Sequence, residues 1–149
     1  MKNKMELSEL WHVIDEVISG GGEFTITPNG ISMLPLLRPG IDSVVLVLPN
    51  DIKKGDIVLY KRDNGKFVLH RVMLVKKEEY IMCGDNQKRF EYGITGAHLL
   101  AKVKDMYRDG ERIDTDSKEY QKYLKKQYKK IKWQRIRRIL ANIKHKIFK

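Results

Sequence analysis

Between residues 23 and 114 the chain runs through short apolar stretches separated by polar turns, and on either side of them the apolar spacing becomes helical. Leu7, Leu10, Trp11, Ile14, Val17 and Ile18 fall on one helical face with acids on the other, which predicts an amphipathic helix over Met5 to Ser19 that Gly20-Gly21-Gly22 stops. Its acidic face would be repelled by anionic lipid, so its expected resting place is its own domain. Alternation and β-branched clustering predict strands over Glu23 to Thr27, Ser43 to Leu48, Asp56 to Arg62, Lys66 to Val75, Glu78 to Met82, Leu99 to Arg108 and Glu111 to Asp114. Asp63-Asn64-Gly65 is a strong hairpin signal, Lys76-Lys77-Glu78 a weaker one, and Asp109-Gly110 closes the last turn. Many short strands joined by tight turns predict a mainly β domain over residues 23–116, preceded by the helix and glycine linker of residues 1–22.

Residues 117–149 change character. Lys118 to Lys149 contains no Gly or Pro and predicts one long helix. Its apolar residues form two stripes displaced around the axis, Tyr120, Tyr123, Leu124, Tyr128 and Ile131 first, then Trp133, Ile136, Ile139, Leu140, Ile143 and Ile147, so a bend or a change of partner is expected near Lys132. The net charge of +11 is concentrated here: thirteen Lys or Arg stand against Glu119 alone, whereas the rest of the chain sums to −1. Such a helix suits an anionic membrane surface, where each Lys or Arg contributes about 1 kcal/mol. A solvated or partner-binding helix is the plain alternative. Nucleic acid is the weakest reading, because no recognisable DNA- or RNA-reading module accompanies the charge.

At 149 residues with 42% apolar composition, one domain with a real core plus appendages is expected. Cys83 is the sole cysteine, which excludes an intramolecular disulfide, and His12, His70, His98 and His145 are too scattered for zinc spacing. Neither a membrane-spanning run nor a secretory leader is found, since Glu6, Glu9, Asp15 and Glu16 interrupt the first twenty residues. The expectation is a cytoplasmic protein, peripheral at the inner membrane face through residues 117–149.

The candidate chemistry centres on Gly30-Ile31-Ser32-Met33-Leu34-Pro35-Leu36-Leu37-Arg38-Pro39-Gly40. Its prolines and glycines exclude a regular helix and predict a stiff turn or strand edge at Ser32. Downstream come Lys54-Gly55-Asp56-Ile57-Val58-Leu59-Tyr60, Val68-Leu69-His70-Arg71-Val72 and Met82-Cys83-Gly84-Asp85-Asn86-Gln87, with Glu91 six residues after Asp85. In this order and spacing, over about residues 28–104, the boxes resemble the type I signal peptidases, most closely the endoplasmic-reticulum and archaeal type branch that pairs Ser with His.

The resemblance implies the coiled, partly open β-fold shared by signal peptidases and self-cleaving repressors, and a serine endopeptidase acting on a signal-like or leader peptide. It implies Ser32 as nucleophile, His70 as general base, Asp85 or Glu91 as the acid orienting the histidine, and no cofactor or metal. The substrate would lie as an added strand, with Ile31, Met33, Leu34 and Val68 lining shallow apolar pockets. Both acids stay open at this point: Glu91 stands where the family has Asp, and Asp85 after Gly84 suits a turn cap equally well. The sequence departs from the family at Gly30, where related enzymes place a hydroxyl for the oxyanion; Ser32 N–H is one donor, and Asn29 a candidate for the second. It departs again in having an amphipathic helix where the family has a membrane anchor. Gly55 and Asp56 read as a turn feeding a core strand, and Arg71 as a charge-pairing residue. Two rivals remain open: a non-catalytic binding module that keeps the fold, and a repressor-like domain that cuts only itself.

Overall fold

The computed structural model describes residues 6–147. They fall into two compact units, one ending at Ile113 and one beginning at Asp114. The first carries α1 (Leu7–Ser19) and eight strands: β1 (Phe24–Ile26), β2 (Ser43–Val47), β3 (Ile57–Lys61), β4 (Phe67–Lys76), β5 (Glu79–Cys83), β6 (Glu91–Ile94), β7 (Leu99–Arg108) and β8 (Glu111–Arg112). The second is built on a single helix, α2 (Lys118–Ile147). Met5, the expected first residue of α1, and the last two residues of the chain lie outside the described residues.

The strands form one mainly antiparallel sheet in the order β1-β2-β7-β3-β4-β5-β6, with β8 paired to β7. Seven of the eight follow the apolar patterning to within two residues at either end. The eighth, β6, has the sequence Glu-Tyr-Gly-Ile, of which Ile94 alone is buried, and Gly93 takes φ +82°. A four-residue strand with one buried side chain offers no period to read; pairing of Met82 with Glu91 and Tyr80 with Ile94 fixes it in place.

The glycine run ends α1 as expected, with Gly21 N–H and Gly22 N–H returning to the carbonyls of Ile18 and Val17 and Gly21 at φ +88°. The helix belongs to the same unit as the sheet. Ile14 and Ile18, one turn apart, are fully buried, and the Trp11 ring lies 6.1 Å from that of Phe67. Burial of each isoleucine side chain is worth about 1.5–3 kcal/mol, enough to hold a helix of this length against the sheet.

One core cluster gathers Val58, Tyr60, Val68, Val72, Met82, Ile94 and Leu99 from β3 to β7. The β3–β4 hairpin that supplies much of it closes over Asp63-Asn64-Gly65, with Arg62 N–H donating to the Lys66 carbonyl at 2.9 Å and Gly65 at φ +87°. A turn closing there sets Tyr60 opposite Val68 and Val58 opposite His70. β4 is long enough to have different neighbours along its length. Phe67 to Arg71 pairs with β3, while β5 joins on the other side only from Arg71 onward, so that among the described residues Phe67 to His70 have no strand partner on that edge. The outer edge of β1 likewise has no strand partner among the described residues, since β1 ends the sheet.

In the second unit α2 is continuous through Lys132, where the apolar stripe changes phase. Glu119 lies in its first turn and Lys144, His145 and Lys146 in its last, the arrangement that the helix dipole favours. Among the described residues no helix is long and apolar enough to cross a membrane.

Candidate active site

Ser32 sits on a turn between β1 and β2, half-buried. The loop that carries it is closed at its base by Gly40 N–H donating to the Pro28 carbonyl at 2.8 Å. It is braced next to that closure by Asp42, whose buried carboxylate accepts from Arg38 N–H, Nε–H and Nη2–H at 2.8, 3.0 and 2.8 Å. The Arg38 hydrogen bonds hold the Asp42 carboxyl below its usual range, against the effect of burial. Within the loop, Leu34 N–H reaches the Ile31 carbonyl and Leu37 N–H that of Met33, so the stiffness expected from its two prolines is supplemented by two turns.

A second segment clasps this loop from outside. Asn86 N–H donates to the Ser32 carbonyl at 2.8 Å, Asn86 Nδ2 to that of Ile31 at 3.1 Å, and Asp85 N–H lies 3.5 Å from Met33 Sδ. Gly84 is required where these chains cross, because a Cβ at that position would stand 2.6 Å from the Ser32 carbonyl oxygen. The Gly84-Asp85-Asn86 box therefore fixes the peptide plane that follows Ser32.

Asp85 itself turns to Arg71. The guanidinium donates Nε to Oδ1 and Nη2 to Oδ2, both at 2.8 Å, with both side chains inaccessible to solvent, and gives Nη1 to the Gly55 carbonyl at 2.8 Å. This is the charge-pairing role read for Arg71. Adjacent strand residues point to opposite faces, so His70 and Arg71 diverge; Arg71 pairs with Cys83, which brings Asp85 to the arginine.

His70 is buried at 4% exposure, and the hydrogen-bond partner of its ring is Tyr60, with Nδ1 3.1 Å from the hydroxyl. Tyr60 donates that hydroxyl to Glu91 Oε1 at 2.6 Å, and Arg62 holds Glu91 through Nε to Oε2 at 2.8 Å and Nη2 to Oε1 at 2.9 Å. A carboxylate can only accept, so the Tyr60 proton is committed to Glu91 and the Tyr60 oxygen is left to accept from His70 Nδ1–H. That fixes the tautomer in which Nε2 carries the lone pair. Of the two acids the sequence leaves open, Glu91 is thus the one linked to the histidine, through a tyrosine that sequence reading treats as core.

The ionisation states agree with this chain. Burial raises the Glu91 carboxyl, but the hydrogen bonds from Arg62 and Tyr60 and the Arg62 charge outweigh it and bring it below its ordinary value. Burial, then the Glu91 hydrogen bond, raise the Tyr60 hydroxyl. His70 is lowered to about 4, by burial first and the Arg62 charge second, with Glu91 and Asp85 opposing. At neutral pH the imidazole is therefore uncharged, as a general base must be.

Ser32 and His70 line one cleft of about 970 Å³, together with Phe24 to Ile26 of β1, Phe67 to Leu69 of β4 and Leu7, Ser8 and Leu10 of α1. Ile31, Met33 and Val68 line it, as does Asn29; Leu34, half-buried, is outside its lining. A neighbouring depression of about 540 Å³ has Arg62, His70 and Gln87 in common with the cleft and adds Glu91. His70 thus belongs to the lining of both the serine's cleft and the depression that holds Glu91. No group of three or more metal-ligating side chains occurs among the described residues. No protein-family model matches the chain, and no curated protein sequence matches it.

Proposed function

We propose that this chain is a serine endopeptidase of the signal-peptidase type, with the coiled β-fold of those enzymes, cutting a leader or signal-like peptide. The observation that carries the reading is the shared cleft: Ser32 and a neutral His70 line one groove together with residues of β1 and of the Phe67 to His70 stretch of β4, strands that each have an edge without a ladder partner among the described residues. An extended peptide can add to such edges by main-chain hydrogen bonds while its alternate side chains enter pockets lined by Ile31, Met33 and Val68.

In the proposed reaction His70 Nε2 takes the Ser32 Oγ proton as Oγ attacks the scissile carbonyl. The imidazolium that forms is stabilised through Tyr60 by the Glu91 carboxylate, and the Ser32 N–H serves the developing oxyanion. His70 then returns the proton to the leaving amine, and a water, deprotonated in the same way, hydrolyses the acyl-serine. Gly30 supplies no hydroxyl, so the second oxyanion donor would come from main chain or from Asn29. The basic C-terminal helix suits a protein peripheral to a membrane on the cytoplasmic side.

The test is covalent capture. Incubation with a serine-acylating probe such as a β-lactam is expected to add one probe mass to the peptide containing Ser32, and Ser32→Ala to remove that adduct. Absence of an adduct from folded parent protein, with and without anionic vesicles, would instead favour a binding module that keeps the fold.

A pH profile checks the base. Because the neutral imidazole is the active form, the labelling rate should stay level from neutrality down to about pH 5 and fall with a midpoint near 4 rather than near the ordinary ~6.5. The same depression has a stability sign. The unfolded chain protonates this histidine first, so His70 disfavours folding progressively as pH falls from about 6.5 to about 4. Rates must therefore be read beside circular dichroism at each pH. A midpoint near 6.5 in folded protein would count against the buried, Tyr60-linked histidine as the base.

A further inference from the structure

Beyond the charge that suits it to a membrane surface, the end of α2 carries an apolar stripe that the proposed peptidase chemistry does not use. At 100° per residue, Trp133, Ile136, Ile139, Leu140, Ile143 and Ile147 occupy one arc of about 120°. All six are exposed, from 38% at Ile136 to 67% at Ile147. No charged residue between Trp133 and Ile147 enters the arc. Arg135 and Lys146 flank it on one side, Arg137 and Lys144 on the other, and no acid follows Glu119 in the helix.

We infer that residues 133–147 of α2 lie flat in the headgroup region of an anionic bilayer, with the six-residue stripe facing the acyl chains and the flanking arginines and lysines reaching lipid phosphates. The charge pattern selects this occupant. Basic residues at both borders of an apolar stripe sit where an interfacial helix meets phosphate, with their aliphatic stems covering the adjoining apolar surface. A second copy of the helix would bring like charges together along both borders, which opposes self-association. Nucleic acid would attract the charge but gives no use for a row of exposed isoleucines. The inference is independent of whether Ser32 is a nucleophile.

The test uses the full chain with vesicles of phosphatidylcholine alone and of phosphatidylcholine mixed equally with phosphatidylglycerol, read by co-sedimentation. In a Trp11→Phe background the emission of Trp133 reports its burial. Binding to the anionic vesicles with a blue shift is expected, and weak or no binding to the neutral ones. Replacing Arg135, Arg137, Lys144 and Lys146 by Gln should weaken partitioning by about 10²-fold or more. The variant Ile139→Ser/Ile143→Ser keeps every charge and should also weaken it, by about 10-fold or more, since each loses most of a buried aliphatic side chain. Helicity of the variants is followed by circular dichroism. Failure of the parent chain to bind anionic vesicles would overturn the inference. So would binding that the serine variant retains in full, because the helix would then be a simple polycation indifferent to its apolar stripe.

Discussion

Asp85→Ala is expected to lower the unfolding free energy by about 3–5 kcal/mol, the range for removing one partner of a buried ion pair. Arg71 is fully buried and spends two of its donors on Asp85, at 2.8 Å each. The substitution removes two hydrogen bonds and the counter-charge that Asp85 supplies to that guanidinium, and a buried cation that loses its counter-charge is far costlier than a neutral side chain. The partner experiment separates that penalty from any intrinsic worth of the pair. Arg71→Met combined with Asp85→Leu removes both charges and should recover most of the loss. Urea unfolding followed by circular dichroism measures both variants. The same experiment decides which acid serves the histidine. A protein with the parent's unfolding midpoint and no labelling of Ser32 would make Asp85 the catalytic acid and defeat the assignment to Glu91. The expected pattern is a destabilised protein whose labelling, where it remains folded, falls only as far as the Asn86 clasp on the Ser32 carbonyl is loosened.

Most strands were legible because one side of a sheet is buried and the other is not, so patterning carries their positions directly. The same logic explains what was not legible. β6 is held by its pairing with β5, and its sequence contains a charge and a left-handed glycine instead of an apolar alternation. In the candidate site, the boxes around Ser32, His70 and Asp85 could be found as words in the chain, but the contacts among them depend on register. Arg71 sits opposite Cys83, and that pairing, not the order of the boxes, delivers Asp85 to the arginine. Tyr60 shows the limit most clearly. As a residue of an apolar strand it reads as packing, and it is indeed fully buried. Its hydroxyl meets His70 only because the hairpin turn sets Tyr60 opposite Val68 and Val58 opposite His70, making tyrosine and histidine diagonal neighbours on one face. The strong turn signal at Asp63-Asn64-Gly65 contained that register, so the neighbour relation could have been drawn from the sequence by counting outward from the turn. The reach of Glu91 to that tyrosine and to Arg62 could not, because it requires the position of β6.

Tyr60→Phe should slow acylation of Ser32 by about 10²-fold while leaving the protein folded. The ring keeps its place in the core, and Glu91 keeps its two hydrogen bonds from Arg62, so what disappears is the oxygen between the acid and the imidazole. Without an acceptor at Nδ1, the ring proton is free to move to Nε2, the nitrogen proposed to face the serine. Complete reversal of the tautomer in a serine triad costs about 10⁴-fold, and a mixture of tautomers should cost less. The protonated intermediate also loses its connection to the Glu91 charge. A purely structural tyrosine would behave differently, because phenylalanine fills nearly the same volume and would preserve the rate. Nitrogen-detected NMR of His70 supplies the second readout. In the parent the proton should reside on Nδ1, and in Tyr60→Phe a substantial Nε2–H population should appear with the slower labelling. If the rate is unchanged, or falls with the proton still on Nδ1, Tyr60 is not the residue that positions the base, and the link from Glu91 to His70 is packing alone.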